Sequence, residues 1–179
     1  MGDPVSLQRW LHWGLFCVLA SVILFIGLLP LDLTTTSIPG PNVLLLLCLV
    51  WILRRPDFAP VGLIAAVTLI ADFLLMRPPG LWALIVVVGT EFIRTRETGW
   101  RDMPYLVEWL TAAIMITVMS LAQIIVLAVF VVPQPALGAT IIQIIMTIIF
   151  YPIASALFGR ALGIRKRAPG EPDALGHRQ

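Results

Sequence analysis

Apolar residues run along this chain in six stretches, punctuated by proline, glycine and arginine rather than by any soluble-looking segment. The first covers about Trp10 to Leu29 and stops at Pro30, and the second centres on Asn42 to Leu53. The third spans about Phe58 to Met76 and meets Arg77-Pro78-Pro79-Gly80. The fourth covers about Leu81 to Ile93, the fifth about Tyr105 to Val132 and the sixth about Leu137 to Leu162. A helical span needs roughly 20 apolar residues to cross ~30 Å of hydrocarbon. The second and fourth stretches fall short, their strictly apolar parts covering only about 20 Å. Flanking residues such as Thr34 to Ile38 extend them, the bilayer thins locally, or they are re-entrant.

Charge placement chooses among these. With the amino terminus inside and six crossings, the inner segments hold Arg9, Arg54, Arg55, Arg94, Arg96, Arg101, Arg160, Arg165, Lys166, Arg167 and Arg178. Arg77 alone falls outside, a strong positive-inside asymmetry that a re-entrant segment would scatter. The expected fold is therefore all-α: a polytopic bundle of about six transmembrane helices with both termini cytoplasmic. Residues 1–167 form the membrane domain, and 168–179 a polar, Pro/Gly-containing tail that reads as disordered. The run after Arg9 is too long for a signal core and lacks a small-residue cleavage site before Pro30, so it is expected to stay as the first span.

Composition agrees with the pattern. Hydrophobic residues make up 59% and charged residues 12% of the 179, with a mean hydropathy of +0.97. Soluble domains carry about twice that share of charge, so the bilayer is the solvent. A net charge of +2 is too small to point to nucleic acid. Cys17 and Cys48 lie in apolar runs without metal-ligand spacing and read as inert packing residues.

Few polar residues are placed to carry chemistry. Asp72 is the main candidate, because an ionisable group within a span is costly unless it has a purpose. It lies four residues before Met76, about 6 Å from the end of the third stretch. That depth favours a structural anchor, accepting hydrogen bonds from the Arg77-to-Gly80 turn or pairing with Arg77, over partner or ligand contact and over proton transfer. Glu91 is spaced to pair with Arg94 on one helix face, and Glu108 falls in the first turn of the fifth stretch, where the helix dipole favours it. Gln123 and Gln143 are deeper; pairing with each other between the fifth and sixth spans is preferred to lining a partner groove. His12, Trp10, Trp13 and Trp51 read as interfacial anchors. No nucleophile beside a base, phosphate-cradling loop or metal-spaced cluster appears, so neither an enzyme nor a cofactor or metal site is expected.

Two stretches carry a family likeness. Pro41-Asn42, Leu44 to Leu47, then Trp51-Ile52-Leu53-Arg54-Arg55-Pro56 resembles the MreD pattern of a Pro-initiated apolar span ending in Trp and a basic-Pro turn. Leu69-Ile70-Ala71-Asp72-Phe73-Leu74-Leu75, then Pro79-Gly80-Leu81-Trp82-Ala83-Leu84, is similar to the MreD signature of an Asp-bearing span, a Pro-Gly turn and a Leu-rich restart. Size, layout and the basic tail also match. One departure is Ala65-Ala66-Val67-Thr68, where the family often has a Gly. The resemblance implies a multi-pass protein of the bacterial inner membrane that binds MreC. With it, such a protein connects MreB filaments to the RodA glycosyltransferase and its penicillin-binding transpeptidase, organising lateral peptidoglycan synthesis and rod shape.

Under that reading a partner helix packs beside small residues such as Gly62, Ala65 and Ala66. Arg54-Arg55 and Arg165-Lys166-Arg167 set topology or meet anionic lipid. The alternative is a substrate-binding subunit of an energy-coupling vitamin transporter, similar in span count. Such a subunit needs polar groups converging in a pocket, and Asp72, Gln123 and Gln143 are sparse material for one.

Overall fold

The computed structural model describes residues 4–29, 39–54, 56–96, 104–132 and 136–161, and every regular element among them is helical. In chain order these are α1 (Pro4–Leu28), α2 (Val43–Arg54), a 3-10 turn (Pro56–Phe58), α3 (Val61–Leu74), α4 (Leu81–Arg94), α5 (Tyr105–Val129) and α6 (Leu137–Ala161). Three of them are long, with 25 residues each in α1, α5 and α6, or about 37 Å. The other three have 12, 14 and 14 residues, only about 18–21 Å. Segments Trp10–Leu28, Tyr105–Val129 and Leu137–Gly159 are long and apolar enough to cross a membrane, which points to a membrane protein.

The third helix is shorter than the apolar stretch from Phe58 to Met76 that contains it. Pro60 takes an extended conformation (φ −61°, ψ 143°) ahead of Val61, and Pro56–Phe58 forms its own turn. At the other end the amide of Arg77 bonds the Asp72 carbonyl and that of Met76 bonds Phe73, while Met76 adopts φ 53°. This is the Schellman stop, in which one left-handed residue satisfies two orphan carbonyls. The end of α5 repeats it: Val132 bonds Leu127, Val131 bonds Ala128, and Val131 has φ 53°. A β-branched side chain there is strained.

The core sits around α2. Every residue from Leu44 to Ile52 is buried, as expected for a helix that is apolar on all sides. It is packed against α1, α4, α5 and α6. Trp51 is fully enclosed, edge-on against Phe16 with ring centroids 5.0 Å apart. It is therefore a core residue, not an interfacial anchor, because the short α2 runs inside the bundle; Trp10 is 67% exposed. Asn42 caps α2: its Oδ1 accepts the Leu45 amide at 3.1 Å, the usual N-cap bond. The Asn42 amide in turn donates to Thr147 Oγ1 of α6 at 3.0 Å.

Helices α3 and α4 form a hairpin, as do α5 and α6. Where α4 meets α5, the Met119 side chain fills the space beside Gly89. A Cβ there would stand 1.9 Å from Met119 Cε and 3.3 Å from Met115 Cε. Inside α6, Pro152 lacks the N–H that would bond the Ile148 carbonyl. The Trp109 indole of α5 supplies that bond instead, at 3.1 Å. A lost helix bond in an apolar setting is thus replaced from the neighbouring helix.

Candidate functional site

Two polar centres stand out, at opposite ends of α2. The first is built on Arg54, at the helix's last turn. Its Nε donates to Glu108 Oε1 at 3.0 Å, with side chains 12% and 5% exposed. Tyr151 of α6, fully buried, donates its hydroxyl to the same oxygen at 3.0 Å. Nearby, the Tyr105 hydroxyl and Ser155 Oγ are 3.0 Å apart. Glu108 does lie in the first turn of α5, but its role is larger than easing a helix dipole: it is the anion of a buried pair. Sequence reasoning missed this because Glu108 and Tyr151 are 43 positions apart. Pro56 opens the turn beyond, and its carbonyl accepts the Ala59 amide. Arg94 pairs with Glu91 at 3.2 Å, as their spacing implies, and also bonds the Ala59 carbonyl.

At the other end, Asp72 occupies the last turn of α3 and is fully buried. Its Oδ2 accepts the Gly80 amide at 3.0 Å and the Ala83 amide at 3.2 Å. Gly80 is the N-cap of α4 and has φ 85°, a conformation that favours glycine. Glycine has no side chain with which to cap, so Asp72 reaches across from the preceding helix and takes the N3 amide in its place. Asp72 is thus the anchor of the Pro79-Gly80 turn; Pro79 itself is exposed. No ion pair joins Asp72 to Arg77 among the described residues, and Asp72 Oδ1 has no hydrogen-bond partner.

Beside this cap lies a cavity of about 270 Å³. The ends of both resemblance-bearing stretches border it, Asn42 and Leu45 from one, Trp82 from the other, with Met76, Arg77 and Pro78 of the intervening turn. Helix α5 contributes Ser120 and Gln123 over Ile116, Ile124 and Leu127, and α6 contributes Thr140, Gln143 and Thr147 over Ile144. Gln123 and Gln143 therefore share a wall without bonding each other. Instead the Gln143 amide donates to the Gly40 carbonyl at 3.4 Å, because the chain entering α2 runs past α6 there and Pro41 leads directly into the Asn42 cap. Burial lowers the proton affinity of the Arg77 guanidinium, and the nearby Asp72 charge restores part of it.

Of the small residues of α3, only Ala71 is fully buried in the bundle. Gly62 and Ala66 face outward and Ala65 is half-buried; Ile64, Val67, Thr68, Ala71 and Asp72 form the buried face. Gly89 of α4 lies against Met119, and a lone glycine in an apolar run was its only sequence signal. Cys17 and Cys48 are free thiols. Arg55, the Arg165-Lys166-Arg167 run and the tail 168–179 lie outside the described residues. Compared with known proteins, the chain matches no family model, no curated protein and no solved structure.

Proposed function

We propose that this protein is a non-enzymatic membrane scaffold of the MreD kind. In this reading all six helices cross the bacterial inner membrane with both termini cytoplasmic, Arg54 and Arg94 on the inner side and Arg77 on the outer, in keeping with the positive-inside rule. It binds the single span of MreC and, with RodA, its penicillin-binding transpeptidase and MreB, organises lateral peptidoglycan synthesis. The observation that carries the reading is the joint position of the two resembling stretches. Pro41-Asn42 and Asp72-to-Trp82 come together at one end of the bundle, where Asn42 caps α2 and Asp72 caps α4. Parts of the two resembling stretches, Asn42 and Leu45 from one and Trp82 from the other, thus border the same cavity. The outward face of α3, with Gly62 and Ala66 among Leu69, Ile70 and Phe73, offers the small-residue surface that helix association in lipid uses.

Depletion in the source bacterium, with cell shape as the readout, tests the proposal. Rods should round up, and MreC should co-purify with the detergent-solubilised protein. Rods that persist while cells become dependent on an added nutrient would instead favour the second reading, a substrate-binding transporter subunit. One observation supports that second reading: polar side chains from α5, α6 and two helix ends converge on a cavity, which a ligand-binding subunit requires.

A further inference from the structure

We propose that this cavity is a binding site for a small organic oxyanion, a phosphate or carboxylate on an apolar body, with Arg77 as its charge partner. The inference goes beyond the scaffold reading and does not depend on it.

Three observations carry it. First, among the described residues the lining has one sign of charge, carried by Arg77. Asp72 lies behind the wall with Oδ2 committed to two amides, so a cationic ligand would meet no carboxylate in the lining. Second, the polar groups differ in whether they are already used. Asn42 Oδ1 caps α2, and Thr147 Oγ1 accepts the Asn42 amide while donating to the Gln143 carbonyl. By contrast, the Arg77 guanidinium, the Ser120 hydroxyl and the Gln123 amide make no side-chain hydrogen bond among the described residues. A half-buried guanidinium without an acceptor is costly, and a ligand oxyanion supplies the acceptor. Third, the remaining walls, among them Leu45, Trp82, Ile116 and Ile144, are apolar, matching the usual division of a ligand site into an apolar body and a few orienting polar groups. About 270 Å³ lies at the low end of small-molecule sites, so the occupant is a small free anion or the headgroup end of an anionic lipid.

The test uses the full chain in dodecyl maltoside, which is free of phosphate. Thermal melting is followed against phenyl phosphate, benzoate and, as the lipid arm, phosphatidylglycerol in mixed micelles, with benzylammonium as the cationic control. At least one anionic probe should raise the melting temperature saturably while benzylammonium does not. Arg77→Gln should weaken that response at least tenfold while leaving the unliganded melting temperature in place, and Gln123→Leu should weaken it severalfold. Saturation by phenyl phosphate or benzoate identifies a free small anion; a response to phosphatidylglycerol alone identifies a headgroup. If no anionic probe binds, or if Arg77→Gln binds all of them as the native protein does, the proposal fails. The cell-shape result stands apart from either outcome.

Discussion

Two arginines stand at opposite ends of α2, and their surroundings differ in a way that separates structure from recognition. Arg54 is enclosed with Glu108, and the carboxylate oxygen they share also takes the Tyr151 hydroxyl. Arg77 borders a cavity with Gln123 and Ser120, and none of the three side chains makes a hydrogen bond among the described residues. A buried ion pair that shares its carboxylate oxygen with a tyrosine hydroxyl ties three helices together. A cation without a hydrogen-bond acceptor beside a cavity keeps its hydrogen-bonding capacity for something else.

The comparison can be broken most sharply at Glu108. Glu108→Ala leaves Arg54 buried and unpaired and should cost about 3–5 kcal/mol, read as a large fall in melting temperature in detergent. Replacing the group together, as Arg54→Met with Glu108→Leu and Tyr151→Phe, should recover most of that loss, since apolar substitutes of similar volume are often tolerated. A mild Glu108→Ala phenotype would mean that the pair is not structural.

Asp72 belongs to the cavity end yet is wired like the Arg54 end. Asp72→Ala removes the acceptor of two amides and should destabilise by about 1–3 kcal/mol, with Asp72→Asn losing less because one oxygen remains. Equal melting of Asp72→Ala and the native protein would dismiss the capping role.

A smaller effect is expected at α6. Trp109→Phe strands the Ile148 carbonyl and should cost about 1 kcal/mol, but close to nothing in a Pro152→Ala background, where the helix amide returns. Independent, additive effects of the two substitutions would show that the indole does not stand in for that amide. The smallest effect is expected at Arg77: Arg77→Gln should change stability by no more than about 0.5 kcal/mol. A loss on the scale of Glu108→Ala would make Arg77 structural and erase the contrast.

Much of the fold is legible along the chain. Pro30, Pro60, Pro78-Pro79 and Pro104 punctuate the apolar stretches, and four of the six helices fall close to the limits those stretches imply, while α1 begins six residues ahead of its stretch. Asp72 is legible too, since a carboxylate ahead of a Pro-Gly turn has few other acceptor roles. The third helix is less so: its apolar flanks at Phe58 and Met76 extend past its ends, because hydrophobicity does not reveal where a backbone turns. Gly89 and the Pro152–Trp109 replacement were not legible, since a glycine or proline in a run does not name its neighbour.

By itself, then, the sequence determined the helical class and the order and approximate limits of the helices, all consequences of hydrophobic runs and backbone chemistry within a few residues. Only the tertiary structure decided that α2 runs through the core, that Trp51 is enclosed, and that Arg54 finds Glu108 54 positions away. It also decided that Gln143 turns to Gly40, 103 positions away, leaving the wall it shares with Gln123 and Arg77 open. Those outcomes depend on which helix faces meet, and in a chain apolar on nearly every face the linear pattern carries almost no information about that choice.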